Sequence, residues 1–149
     1  MPSDNIKTQM RLTQIGNCEI DNHLSSFKAD QIEIGKLKID YSAQVEINRP
    51  LSQVAVRITL CYYMGTADLF VGKLTFFFEV EGLSSFIEVD ENKEEFNIKS
   101  DFLPSLIGIS FSTSRGYFVR ELVGTPLEAY PFPIVSNKSL LSRVKYQVI

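Results

Sequence analysis

The sequence holds one histidine and two cysteines in 149 residues, and that scarcity removes most catalytic chemistry. A Ser-His-acid or Cys-His centre would have to use His23, which falls in an expected loop, and no G-x-S-x-G turn is present. One histidine and two separated cysteines do not make a usual zinc site. The glycines are scattered, and none opens a phosphate-binding G-x-x-x-x-G-K. No enzyme and no cofactor is expected. Basic runs are also missing and the net charge is −3, so nucleic acid is not an expected partner. No apolar run approaches the roughly 18 residues of a membrane span, so membrane insertion is not expected. The N-terminus lacks an apolar stretch behind a basic start, so no signal peptide is expected and the cytoplasm is the expected compartment.

Cys18 and Cys61 lie in apolar surroundings without a C-x-x-C. They are expected as buried small side chains rather than as a disulfide. Glu79 and Glu81 share an expected strand face without a cleft, which predicts two solvated carboxylates.

What is present is apolar patterning. Hydrophobic residues make up 44% and charged residues 22%, which suits one globular domain over residues 1–149. In KLKIDYSAQVEI, residues 36–47, Leu37, Ile39, Tyr41, Ala43, Val45 and Ile47 alternate with polar residues. That spacing predicts a strand with one face in water. Asn48-Arg49-Pro50 breaks it. Residues 53–64 alternate again, with Val54, Val56, Ile58, Leu60, Tyr62 and Met64 on one face, and Gly65–Asp68 makes a tight connection. A third run, LFVGKLTFFFEVEGLSSFIEV, buries Phe70, Leu74, Phe76, Phe78 and Val80, with a bulge or bend at Gly82. Three long runs and short turns predict an antiparallel meander. A weaker strand is expected over 11–20, with Leu12, Ile15, Cys18 and Ile20 partly buried. Residues 21–35 read as a long connection. The acidic segment 88–96 reads as a solvated loop, with a docking patch for a basic partner as the alternative.

LPSLIGISFSTSRGYFVREL, residues 103–122, reads as a strand by its alternation and as a helix at 100° per residue. Helix is the expectation. Asp101 is a suitable N-cap, Pro104 is tolerated in the first turn, and Gly124-Thr125-Pro126 is a stop. Leu103, Leu106, Ile107, Phe111, Tyr117, Phe118 and Leu122 gather on one side. Gly108, Ser112 and Gly116 line the other as a narrow groove of small residues. That groove admits another subunit's helix, or it is simply exposed or packs on the chain's own tail. Pro126, Pro131 and Pro133 then predict an extended strap carrying Leu127, Tyr130, Phe132, Ile134 and Val135. Ser136 caps a short last helix with Leu140, Leu141, Val144 and Val148 facing inward. The strap is either a lid over a groove or part of the core.

This order of elements resembles the SecB export-chaperone family over nearly the whole chain. FFFEVEGLSSFIEV is similar to the family's last strand with its glycine-containing bend. LPSLIGISFSTSRGYFVREL resembles its first helix, and PFPIVSNKSLL its loop into the last helix. Residues 21–35 fall where the family has a crossover loop, here with Leu24 and Phe27. The resemblance implies an α+β fold, a four-stranded antiparallel sheet covered on one face by a long helix and a short C-terminal helix. It implies an ATP-independent holdase binding unfolded or newly made polypeptides in apolar grooves, as a homo-dimer or tetramer. The residues expected to contact such clients are Leu24, Phe27, Tyr130, Phe132, Leu140 and Leu141. The resemblance also implies that the first helix lies at the oligomer interface, through Gly108, Ser112 and Gly116. The family's export members are strongly acidic and end in a tail that contacts the SecA motor. This chain ends in the short basic SRVKYQVI, which weakens the case for SecA. Relatives that serve toxin–antitoxin pairs make an antitoxin another possible partner. Two competing readings remain: a module dedicated to a single protein partner, and a small-molecule binder with its pocket between sheet and helix.

Overall fold

A computed structural model describes residues 9–33, 35–90, 95–98 and 102–149. It is an α+β fold built on a mixed five-stranded sheet with two helices on one face. The strands are β1 (Met10–Asn22), β2 (Leu37–Asn48), β3 (Gln53–Met64) and β4 (Ala67–Val80), followed much later by β7 (Val144–Val148). Their order across the sheet is β1-β4-β3-β2-β7.

The meander β2-β3-β4 is the one that the alternation predicts. β2 and β3 pair in an unbroken antiparallel register from Leu37↔Met64 to Asn48↔Gln53. Every second residue of β3 from Val54 to Tyr62 is buried, as are Phe70, Leu74, Phe76, Phe78 and Val80 of β4. The bend at Gly82 is there, in a left-handed conformation at φ 70°. It leads through a 3-10 turn, Leu83–Phe86, into β5 (Ile87–Asp90). β5 pairs with β6 (Glu95–Ile98) as a separate antiparallel hairpin. The acidic segment 88–96 is therefore mostly a strand pair rather than a loop, although residues 91–94 lie outside the described residues.

The fold departs from four antiparallel strands at its far edge. Residues Val144–Val148 form a strand parallel to β2, with Val144 opposite Ala43 and Val148 opposite Ile47. The last helix is correspondingly short, α2 (Asn137–Leu141), so Val144 and Val148 leave it for the sheet. The side of β2 away from β3 receives this strand, and V-K-Y-Q-V has the β-branched alternation that fits it. Ser136 caps α2 as expected, its hydroxyl accepting from Ser139 N.

α1 (Phe102–Glu121) settles the 103–122 segment as helix. Asp101 lies outside the described residues. At the other end Gly124 adopts φ 80°, the left-handed conformation that ends helices and that a side chain would oppose. Leu103, Leu106, Ile107, Phe111, Phe118 and Leu122 are buried, with Ser110 and Ser114 between them. Tyr117 is not: it is 41% exposed. It stands toward β1, where Cys18 Sγ lies 3.8 Å from its hydroxyl. α1 packs over β3 and β4. It comes close to β4 at Gly72, where a β-carbon would stand 2.6 Å from the Phe118 ring.

β1 is a strand, but its apolar residues are not partly buried. Leu12, Ile15 and Ile20 are 42%, 46% and 37% exposed, and Cys18 is also exposed. Two irregularities, between Leu12 and Gln14 and between Gly16 and Glu19, break its register with β4. Among the described residues no helix is long and apolar enough to cross a membrane.

Candidate functional site

The roof is narrower than the sheet. Residues directly opposite in a ladder share a face, so Met10, Leu12, Ile15 and Ile20, opposite Val80, Phe78, Phe76 and Gly72, lie on the helix side of the sheet. All four are exposed. On the other side of α1, Leu37, Ile39 and Tyr41 of β2 are only half-buried against the core. Two apolar margins thus flank the helix on one face.

The strap after α1 closes the space between helix and sheet at the β2 side. It is less extended than the prolines suggest. Residues 125–130 turn back on themselves, with Glu128 N donating to Thr125 O and Tyr130 N to Leu127 O, and only 131–136 run without turns. Leu127 is buried, Val135 is half-buried, and Ile134 stands in water at 86% exposure. Phe132 is buried at the centre of an aromatic cluster, its ring 5.8 Å from Phe111, 5.9 Å from Tyr62 and 6.1 Å from Tyr41. Each edge-on pair contributes about 0.5–1.5 kcal/mol beyond burial. The Tyr62 hydroxyl donates to Tyr130 O at 2.8 Å, and burial pushes its pKa well above the ordinary phenol value. These rings pack the space between α1 and the sheet at the strap end.

The six expected client contacts divide accordingly. Leu24, Phe132 and Leu140 are in the core, at 3%, 5% and 3% exposure, and so meet the protein's own side chains. Phe27, Tyr130 and Leu141 are half-buried at its margin and remain available to a partner. Gly108, Ser112 and Gly116 line the outer face of α1 as expected. Gly108 and Ser112 border a shallow hollow with Ile109 and Asn137. A β-carbon at Gly108 or Gly116 would meet nothing within 4 Å.

β7 is held to β2 by more than its ladder. The Arg143 guanidinium sits 4.6 Å over the Tyr41 ring and binds Asp40 Oδ1. Ile149 N donates to Ile47 O at 2.7 Å, and Arg49 donates to Ile149 O from both its backbone N and its Nε. These residues went unread in the sequence, where Val144 and Val148 fit helical spacing after Leu140 and Leu141.

The opposite face of the sheet curls into a concavity of about 450 Å³ to which all five strands contribute. Phe77 and Ala55 line it beside Arg57, Glu46, Lys145 and Gln147. Arg57 pairs with Glu19 at 3.1 Å, while its Nε is buried without a partner. Cys61 is on this face, half-exposed rather than buried, with its thiol 3.8 Å from Asp68 Oδ1.

The residues weighed for catalysis are dispersed. His23 is exposed, with Nε2 3.8 Å from Asp21 Oδ1. Glu79 binds Arg11 at 2.8 Å, and Glu81 lies in the turn after β4. Among the described residues no group of three or more His, Cys, Asp or Glu side chains is placed to hold a metal ion. No family model, curated protein or solved structure matches the chain.

Proposed function

We propose that this protein is a SecB-like holdase of the cytoplasm, binding extended apolar segments of unfolded polypeptides without nucleotide. The observation that carries the reading is the mismatch between a wide apolar sheet face and a single covering helix. On β2 the mismatch leaves Leu37, Ile39 and Tyr41 half-buried, and Tyr130 of the strap is half-buried as well. Each large side chain that a client buries there contributes about 1.5–3 kcal/mol before ordering costs. On β1, the edge strand among the described residues, it leaves four exposed apolar residues. That margin and the small-residue face of α1 suit a second copy of the chain, so the holdase works as a homo-oligomer.

The test is suppression of aggregation of a chemically denatured client, without nucleotide. Stoichiometric protein is expected to suppress it, and Leu37→Ser with Ile39→Ser to weaken the suppression while leaving the circular dichroism unchanged. Unchanged aggregation in the presence of the protein overturns the reading. Tight binding to one partner with no affinity for unrelated unfolded chains would identify a dedicated binding module instead.

A further inference from the structure

We infer that β7 is a displaceable internal occupant, and that its seat on β2 accepts an extended segment of a client polypeptide. The inference rests on the holdase reading and locates its site. Among the described residues, the β2–β7 ladder is the one parallel pairing in the sheet, and β7 pairs over five residues, fewer than any other strand there. None of its side chains is buried. Its flanking anchors are exposed: the Arg143–Asp40 pair is about half in water on both sides, and such pairs hold weakly.

The occupant is legible from what sits there now. Val144, Tyr146 and Val148 lie opposite Ala43, Val45 and Ile47, on the core side of the sheet, while Lys145 and Gln147 alternate with them. The seat therefore takes an extended chain with β-branched or aromatic residues at alternate positions. Such segments abound in unfolded proteins and are hidden in folded ones. Beyond Ala43 the outer edge of β2, from Leu37 to Ser42, has no strand beside it among the described residues. A client lying along all of β2 would form a longer ladder than β7 does and would cover Leu37, Ile39 and Tyr41. Main-chain bonds would supply affinity and the alternating side chains selectivity. β7 thus competes with clients, and apparent affinity falls by the fraction of time that it is seated.

The full chain tests this in two forms, each with Cys18 and Cys61 replaced by serine. Glu46→Cys with Gln147→Cys locks β7, because these two positions are directly paired and neighbouring strands lie within disulfide reach. Gln147→Pro releases it: Arg143 and Ile149 turn their main-chain polar groups to β2, Gln147 follows them at period two, and proline there removes a ladder donor. The probe is a reduced, carboxymethylated protein followed by fluorescence anisotropy. The oxidised lock is expected to bind at least about tenfold more weakly than the same protein reduced, and Gln147→Pro about tenfold more tightly than the parent. If the parent binds the probe and neither variant changes affinity, the holdase reading stands and the displaceable strand is overturned. If Gln147→Pro only self-associates, the occupant is a second copy and the inference also fails. If no form binds the probe, the holdase reading falls, and a labelled peptide VKYQVI then decides the seat. Saturable binding of that peptide to Gln147→Pro supports it, and no binding overturns it.

Discussion

The ring of Phe118 occupies the space that a side chain on Gly72 would need, 2.6 Å from its missing β-carbon. This contact lets α1 lie close on β4, and Phe118 also meets Phe70 edge-on at 5.8 Å. Gly72→Ala is expected to lower stability by about 1–3 kcal/mol through overpacking. Adding Phe118→Leu should recover part of the loss, so the double variant costs less than the sum of the two single changes. Urea unfolding of the four proteins checks this; strict additivity would mean that the two residues do not collide.

Tyr62 pins the strap. Tyr62→Phe removes the bond to Tyr130 O and keeps the ring in its cluster. The expected loss is about 0.5–1.5 kcal/mol, with amides in residues 130–135 exchanging faster than those of β3. Hydrogen exchange that is unchanged in the strap would show that Phe132 alone holds it.

Ser114 is an unresolved cost in the core. Its hydroxyl is buried without a partner, whereas the Ser110 hydroxyl donates to Leu106 O at 2.7 Å. Ser114→Ala is expected to raise stability by about 1 kcal/mol, from the removed orphan group and the better helix propensity of alanine. A lower denaturation midpoint in this variant would contradict the assignment.

The two thiols should react in sequence. Burial, then the Asp68 carboxylate, pushes the Cys61 thiol up to about 11, so at pH 8 only about one molecule in a thousand carries its thiolate. Cys18 is exposed and should be alkylated first. The Cys61 rate should climb about tenfold per pH unit until pH approaches 11, and Asp68→Asn should speed it at fixed pH by removing a charge that opposes ionisation. Mass spectrometry of timed iodoacetamide labelling measures both rates.

Local patterning made the meander and α1 legible. From Val54 to Tyr62 the buried set follows from period two alone, and the α1 core face follows from helical spacing except at Tyr117. Tyr117 fails because it stands over the exposed edge strand β1, beside Cys18, rather than over the buried strands β3 and β4, which no local period encodes. β1 is obscured by its own bulges, which shift the phase between Leu12, Ile15 and Ile20. β7 is hidden by a coincidence: Leu140, Leu141, Val144 and Val148 also fit one helix face, and what draws Val144 into the sheet is the vacant edge of a strand a hundred residues earlier. The candidate contacts divide for a similar reason. Phe132 and Tyr130 look alike in a proline-rich strap, but only Phe132 has three rings waiting for it.

The sheet order has a kinetic consequence. β2, β3 and β4 are joined by short turns and can zip together early, whereas β1 and β7 must each return from a distant part of the chain to reach their partners. Distant pairings form slowly because loop closure precedes any reward. A chain that pairs in this order would expose a three-stranded sheet with two bare borders until the outer strands arrive, and over that interval it would resemble the molecules that it is proposed to protect.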